Sequence, residues 1–289
     1  MEFLSECREG VFLSAFSTFG IGGAARFFFE PKKVEDLQKA FRWAFTTGTE
    51  VLVVGRGSNC LFADDGFDGL VIKNSVAHCK EESGTFSVGG GYSFSRLGVQ
   101  SARSGLGGLE FAAGIPGTVG GAVYMNAGAH GQCTADIVSF VDYVNEKGER
   151  ISVSGETIEF GYRYSSFQHL KGAIASVDMT LNLFPEAFER QKEMLKRRKG
   201  TQPYHERSAG CSFRNPPGTS AGKLIEEAGL KGVQIGGAQI STMHANFIIN
   251  TGGAKASDVI HLLDHVREMV YRKTGVLLEP EVRIIERGG

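Results

Sequence analysis

A chain of 289 residues can bury a sizeable core and fits one large domain or two of ordinary size. Hydrophobic residues make up 42 % and charged residues 22 %, which excludes disordered and collagen-like chains. A net charge of -1 excludes a wide basic face for nucleic acid, yet leaves room for a small anionic ligand, which needs only a few local cations.

The opening stretch MEFLSECREG carries acids where a secretory signal needs bases, and no apolar run nears the roughly 18 residues of a membrane span. The expectation is a cytoplasmic protein with no membrane segment. Val34, Leu37, Phe41 and Phe45 are spaced for one helical face and Gly48 supplies a stop, so the pattern predicts a helix over 34–47. VLVVG (51–55) then predicts a short strand ending in glycine, followed by the loop GRGSN (55–59) and strands at CLF (60–62) and LVIK (70–73).

A helix is expected over 93–104, and beyond it the chain turns glycine-rich. The sequence holds 40 glycines, about twice the usual share of about 7 %. Thirteen of them fall between Gly89 and Gly131. They alternate with apolar residues rather than with Ser or Pro, which marks structured loop and not a flexible tether. Strands follow over 137–154, with a turn at Lys147-Gly148, and over 173–184, closed by Pro185.

The polar helix expected over 185–200 joins this strand-rich part to the C-terminal hundred residues. The domain border is accordingly placed near 190, with residues 1–190 forming two α+β subdomains that meet near 75, and 191–289 forming a second domain. In the latter the pattern predicts a helix over 219–230, a strand pair around Gly236-Gly237, a strand over 246–251, a long helix over 256–275 and a last strand over 281–286. Val259, Leu262, Leu263, Val266, Met269 and Val270 form the apolar stripe of the long helix. These elements read as a mixed α/β architecture, which the family resemblance described below narrows to the fold class α+β.

Cys7, Cys60, Cys79, Cys133 and Cys211 are odd in number, widely spaced and without a CxxC pair, so they read as reduced thiols rather than a disulfide framework or a zinc knuckle. His261 and His265 stand one helical turn apart, but their face continues through Glu268 and Arg272 and lacks the HExxH glutamate; a solvated face is expected and no metal. The run Lys196 to Lys199 suits a helix C-terminus, where cations meet the negative end of the dipole, and one of them is available to a phosphate.

GRGSN is followed by strand-like residues, not by the helix a dinucleotide-binding GxGxxG must open. A second glycine block at 114–121 changes its meaning. Two loops with few side chains in the way can aim several backbone N–H groups at one diphosphate, which favours a nucleotide cofactor held by main chain. Taken singly, other polar residues stay ambiguous: Arg163 sits among aromatics in EFGYRYSSF, Glu281 fits a strand-rim carboxylate, and Cys211 in SAGCSFRNPPG fits a small buried hydrophobe.

Together these stretches resemble the UDP-N-acetylenolpyruvoylglucosamine reductase (MurB) family over nearly the whole chain. The landmarks are FSTFGIGGAARFF (16–28), VLVVGRGSN (51–59), LEFAAGIPGTVGGAVYMNAGAHG (109–131), GYRYSSF (161–167), QP (202–203), SAGCSFRNPPG (208–218), AGKLIEEAGLKG (221–232) and LEPEVRII (278–285). The resemblance implies a vanillyl-alcohol-oxidase-type FAD-binding domain followed by a C-terminal α+β substrate-binding domain. It further implies NADPH-dependent reduction of UDP-N-acetylglucosamine enolpyruvate to UDP-N-acetylmuramate in peptidoglycan precursor synthesis. An oxidase of the same fold acting on a small alcohol is the alternative.

By position in the family motifs, the resemblance places FAD against Gly55, Arg56, Gly57, Ser58 and Asn59, against Gly114, Ile115, Pro116, Gly117, Thr118, Gly120 and Gly121, and against Asn126 and Gly128. GRGSN has no histidine for covalent attachment, so a noncovalent flavin is expected. Arg163, Cys211 and Glu281 are the implied catalytic residues. Cys211 departs from the serine usual in the family, and a thiol of pKa near 8.5 is the better acid of the two. Ser212 is the competing donor if the register slips by one, although strand alternation points it to the opposite face. Lys199, Arg214, Asn215 and Arg283 fall where the family's substrate contacts cluster. The short stretch between Phe184 and Cys211 resembles the subclass that lacks a tyrosine-bearing lid. A monomer is expected, with the UDP-sugar substrate and NADPH as small-molecule partners and no nucleic acid.

Overall fold

The helix expected over 34–47 forms as α1 (Val34–Thr47), with Leu37, Ala40, Phe41 and Ala44 on its buried face. The Asp36 carboxylate accepts the Lys33 N–H at 3.2 Å, and Gly48, at φ 65°, closes the C-terminus in the left-handed conformation glycine tolerates. Phe45, assigned to the stripe by spacing, is instead 55 % exposed. At 100° per residue it lies about 80° round the helix from Leu37, whereas Ala44 lies about 20° away and takes the buried place.

This structure is a computed structural model and describes residues 3–288; Met1, Glu2 and Gly289, at the ends of the expected domain limits, lie outside the described residues. The chain divides into two units. One holds the chain up to Glu9, Phe27–Arg56 and Gly69–Arg198; the other holds Gly10–Arg26, Gly57–Asp68 and the chain from Lys199 onward. The crossing at Arg198/Lys199 lies eight residues beyond the expected border near 190, at the end of the polar helix. Unlike a linear border, the division also places 10–26 and 57–68 with the C-terminal segment.

In the first unit, Val51–Val54 runs parallel to the part of the strand Phe67–Lys73 that lies beyond Asp68, pairing Val51 with Leu70 and Val54 with Lys73. A five-stranded antiparallel sheet has the order Cys79–Glu82, Thr85–Gly89, Gly172–Thr180, Val138–Asn145, Arg150–Ser154. The strand expected over 173–184 ends at Thr180, and Asn182–Leu183 pairs elsewhere with Leu106–Gly107. α2 (Phe94–Arg103) starts where Ser93 Oγ accepts the Arg96 N–H at 3.3 Å. α3 (Val119–Tyr124) lies inside the stretch expected to be loop. Its glycines lower helix propensity, but Thr118 Oγ1 caps the Gly121 N–H and burial of Val119, Ala122 and Val123 outweighs the deficit. α4 (Ala187–Thr201) is the expected polar helix.

One carboxylate in this unit makes stability pH-dependent. Lys73 donates to Glu30 at 2.5 Å, Ser75 Oγ at 2.9 Å, and Arg8 lies at 3.6 Å. The Lys73 hydrogen bond is the largest influence and, against the opposing effect of burial, holds the Glu30 carboxyl below its usual range. A depressed folded-state value means that stabilisation is complete above the unfolded value near 4.3 and is lost as pH falls through the folded value. Urea unfolding at pH 6 and pH 3.5 should therefore show a smaller stability difference for Glu30→Gln than for wild type. An unchanged difference would remove Glu30 from the account.

In the second unit, an antiparallel sheet runs Arg207–Cys211, Phe247–Asn250, Ala238–Ile240, Gln234–Ile235. Cys60–Phe62 pairs in parallel with Arg283–Ile285. α5 (Ala221–Glu227) is shorter than the pattern suggests, since Ser220 caps its start and Gly229, at φ 76°, follows its end. α6 (Ala256–Thr274) buries Val259, Leu262, Leu263, Val266 and Val270 as expected, with Met269 partly buried beside them. Asp64 accepts the Ala256 and Ser257 N–H groups at 2.7 and 3.2 Å, an acidic cap at the positive end of the helix dipole. Phe19, Ile21 and Leu61 enter the same core, which is why 10–26 and 57–68 belong to this unit. Among the described residues no helix is long and apolar enough to cross a membrane.

Candidate active site

Two glycine loops meet in the first unit. A Cβ built on Gly55 would lie 2.4 Å from Thr118 Oγ1, so only a residue without a side chain lets the 55–56 turn approach the 114–121 loop. A third glycine segment supports them: Gly120 N–H donates to Gly90 O at 2.8 Å, Val119 N–H to Tyr92 O at 2.9 Å, and Phe94 N–H to Gly117 O at 3.0 Å. The result is a main-chain segment with Pro116 and Gly121 exposed and Gly114, Thr118 and Gly120 buried, in which the Ile115, Gly117, Val119, Gly120 and Gly121 N–H groups are already taken by protein acceptors. The close approach of glycine-bearing main chain at Gly55 and the 114–121 loop fits a cofactor lying against backbone rather than against side chains.

Beside it stands the hairpin of Gly128–Ala129 and Gln132–Cys133, whose turn residues His130 and Gly131 both have positive φ, 57° and 81°. Burial, then the Arg198, Arg197 and Arg190 cations, push the His130 imidazole below its ordinary pKa, which keeps it neutral. Asn126, buried at φ 42°, donates to Gly161 O at 2.9 Å and accepts the Ala135 N–H at 3.0 Å.

Arg163 sits in the two-residue turn between Phe160–Gly161 and Tyr164–Ser165 and has φ 55°, a conformation an arginine adopts only at a cost. Its Nη1 donates to Gly128 O at 3.1 Å, its guanidinium lies 5.1 Å from the Tyr162 ring centroid, and its carbonyl accepts Gln168 Nε2 at 3.1 Å. Within the first unit Gly55 thus meets the 114–121 loop at Thr118, Asn126 meets Gly161, Arg163 meets Gly128, and Arg56 is exposed.

The second unit carries Gly57, Ser58, Asn59, Lys199, Cys211, Arg214, Asn215, Glu281 and Arg283. Asn59 Nδ2 donates to Glu281 O at 3.2 Å and its carbonyl accepts the Arg283 N–H at 3.0 Å, tying the end of GRGSN to the strand of the candidate carboxyl. Segments 212–214 and 279–281 run antiparallel, with Phe213 opposite Pro280, Glu281 N–H on Ser212 O at 2.8 Å and Arg214 N–H on Glu279 O at 2.9 Å.

Ser212 is buried, and its Oγ accepts the Ile248 N–H at 3.2 Å; Cys211 is half-exposed. The register shift between Ser208 and Cys211, with Gly210 at φ 77°, marks a bulge of the kind that re-aims a side chain. All five cysteines are free thiols. Burial raises Cys7 to about 11 and raises Cys60, Cys79 and Cys133 as well, so these four are protonated at neutral pH.

Arg214 Nε is buried with no hydrogen-bond partner, a donor whose satisfaction requires an added acceptor. Lys199 and Arg283 are exposed, and Asn215 Oδ1 accepts the Ala221 N–H at 3.0 Å. His261 is exposed and His265 half-buried, and among the described residues no group of three or more His, Cys, Asp or Glu could hold a metal ion. Sequence reasoning missed Asn246, whose buried amide accepts the Phe213 N–H at 2.9 Å and donates to Phe213 O at 2.8 Å, clamping the strand next to Cys211. Its signal was a polar residue at the head of the apolar run FIIN.

Residues 202–285 match the family described as UDP-N-acetylenolpyruvoylglucosamine reductase, C-terminal domain, and residues 25–154 match an FAD binding domain. The chain is 48 % identical over 287 residues to the UDP-N-acetylenolpyruvoylglucosamine reductase of Protochlamydia amoebophila, covering 99 % of this chain and 96 % of that one. It is 47 % identical over 281 residues to the same-named protein of Chlamydia felis, covering 96 % and 94 %. The crystal structure of the MurB reductase from Thermus caldophilus superposes with a TM-score of 0.84 at 38 % identity, covering 96 % of this chain and 99 % of that one.

Proposed function

Since the chain belongs to the UDP-N-acetylenolpyruvoylglucosamine reductase family, we propose that it reduces UDP-N-acetylglucosamine enolpyruvate to UDP-N-acetylmuramate, with NADPH as reductant, in peptidoglycan precursor synthesis. The protein is an FAD-dependent oxidoreductase. The observation that carries the reading is the pairing of a half-exposed Cys211 with an inward Ser212 on the strand alongside Glu281. This arrangement supports proton donation by the thiol at the sequence position where the family places its donor.

The converging loops of Gly55, Arg56 and 114–121, with Gly57, Ser58 and Asn59, Asn126 and Gly128, are the residues that would hold FAD without a covalent bond. Bound there, FAD would supply the hydride chemistry that links NADPH to the terminal vinyl carbon of the substrate. The remaining demand falls on the protein. Negative charge develops on the carbon next to the substrate carboxylate, and Arg163 and the Glu281 carboxyl are the groups that meet it. The Cys211 S–H bond breaks, its proton forms the new C–H bond at that carbon, and the thiolate recovers a proton from solvent. Lys199, Arg214, Asn215 and Arg283 receive the UDP and carboxylate groups, and the orphaned Arg214 Nε supports an acceptor there.

In this reading the N-terminal part binds cofactor and the C-terminal part binds substrate, and the protein works as a cytoplasmic monomer. Anaerobic mixing tests the reaction. Rapid bleaching of the flavin by NADPH, followed by reoxidation on adding the enolpyruvyl nucleotide, is expected. Reduction by a small alcohol with peroxide release in air would overturn the reading in favour of an oxidase.

A further inference from the structure

Glu110 is a buried titratable group outside the roles above. It begins the single-turn helix Glu110–Gly114 directly before the cofactor loop, and its side chain is 1 % exposed. Every partner it has is a donor: Gly108 N–H at 2.8 Å and Gln132 Nε2 at 3.1 Å reach Oε2, and Arg190 Nη1 stands 3.8 Å from Oε1. That is the pattern a carboxylate satisfies.

Gln132 leads from this carboxylate to the reacting centre. It pairs with Ala129 in the hairpin, Cys133 pairs with Gly128, and Gly128 O receives the guanidinium of Arg163. The other Gln132 side-chain atom, Oε1, is buried without a partner, so its amide is oriented by Glu110. Arg163 in turn has positive φ, which leaves its aim dependent on what surrounds it.

We infer that Glu110 is a positioning residue for Arg163, fixing the 128–133 hairpin through Gln132 so that Gly128 O holds the guanidinium at the angle the substrate carboxylate requires. The inference rests on the role given to Arg163 in the proposed function. Small misplacement of a charge-stabilising group is costly, on the order of 100-fold per ångström. Glu110 acts only through that group, so it should matter only where that group does.

The test uses purified holoenzyme and stopped-flow kinetics of both half-reactions for wild type, Glu110→Gln, Arg163→Lys and the double variant. Glu110→Gln should slow substrate-dependent flavin reoxidation by about tenfold or more, leave NADPH-driven reduction within twofold, and add little once Arg163 is lysine. Should Glu110→Gln fail to fold, Gln132→Leu cuts the same link and carries the same expectation. Multiplicative slowing in the double variant, or equal slowing of both half-reactions, overturns the positioning role. A wild-type flavin that NADPH does not reduce overturns the proposed function instead, so the two failures are told apart.

Discussion

Cys211→Ala should leave NADPH-driven bleaching of the flavin within about twofold of wild type and slow reoxidation by the enolpyruvyl nucleotide by about 100- to 10,000-fold, the usual worth of a general acid. Only the second half-reaction consumes the proton, so the asymmetry is the signature, read by single-turnover absorbance near the flavin maximum. Cys211→Ser should retain measurable turnover, because a hydroxyl occupies the same place with a weaker acid. Ser212→Ala is the control. Its hydroxyl already accepts the Ile248 N–H in the interior, so the variant should lose some stability and keep the rate of both steps. Severe slowing in Ser212→Ala with a silent Cys211→Ala would hand the role to the serine.

Gly57→Ala should cost about 2–4 kcal/mol of stability and release FAD. Two penalties combine: φ 60° disfavours any residue with a Cβ, and that Cβ would stand 2.2 Å from Phe16 O and 3.0 Å from Ser17 Cα, backbone atoms that cannot swing aside. Gly48→Ala separates them. It has nearly the same φ, 65°, and nothing within 4 Å of the added atom, so it should cost only about 1 kcal/mol and leave the flavin bound. Thermal unfolding with and without added FAD measures both. Equal losses for the two variants would show that the close approach at Gly57 is relieved without consequence.

What the sequence disclosed was local. The α6 stripe from Val259 to Val270 follows from helical period alone, whereas the bulge before Cys211, beside the buried Ser212, is not foreseen by strand alternation. Resemblance supplied the candidate site residues, whereas composition and spacing left Arg163, Cys211 and Glu281 ambiguous one by one. The hidden features are those made by partners far apart in the chain. Asn246 reaches Phe213 across 33 residues and Gln132 reaches Glu110 across 22; the polar residue ahead of FIIN marks Asn246 as unusual, but no local pattern names either partner. α3 was hidden for the opposite reason: its local glycines argue against the helix that burial of Val119 and Val123 secures.

The core shared by Phe19, Ile21, Leu61 and α6 has a consequence for biogenesis. Residues 10–26 and 57–68 leave the ribosome long before the strand Arg283–Ile285 that pairs with Cys60–Phe62 exists. At translation speeds of about 5–20 residues per second, the interval spans roughly 10–45 s. For most of it these early apolar side chains lack the α5 and α6 part of their core, so the nascent chain offers a binding target for chaperones. For the same reason a fragment beginning at Lys199 would be expressed with a gap in its interior that peptides of 10–26 and 57–68, added in trans, should fill.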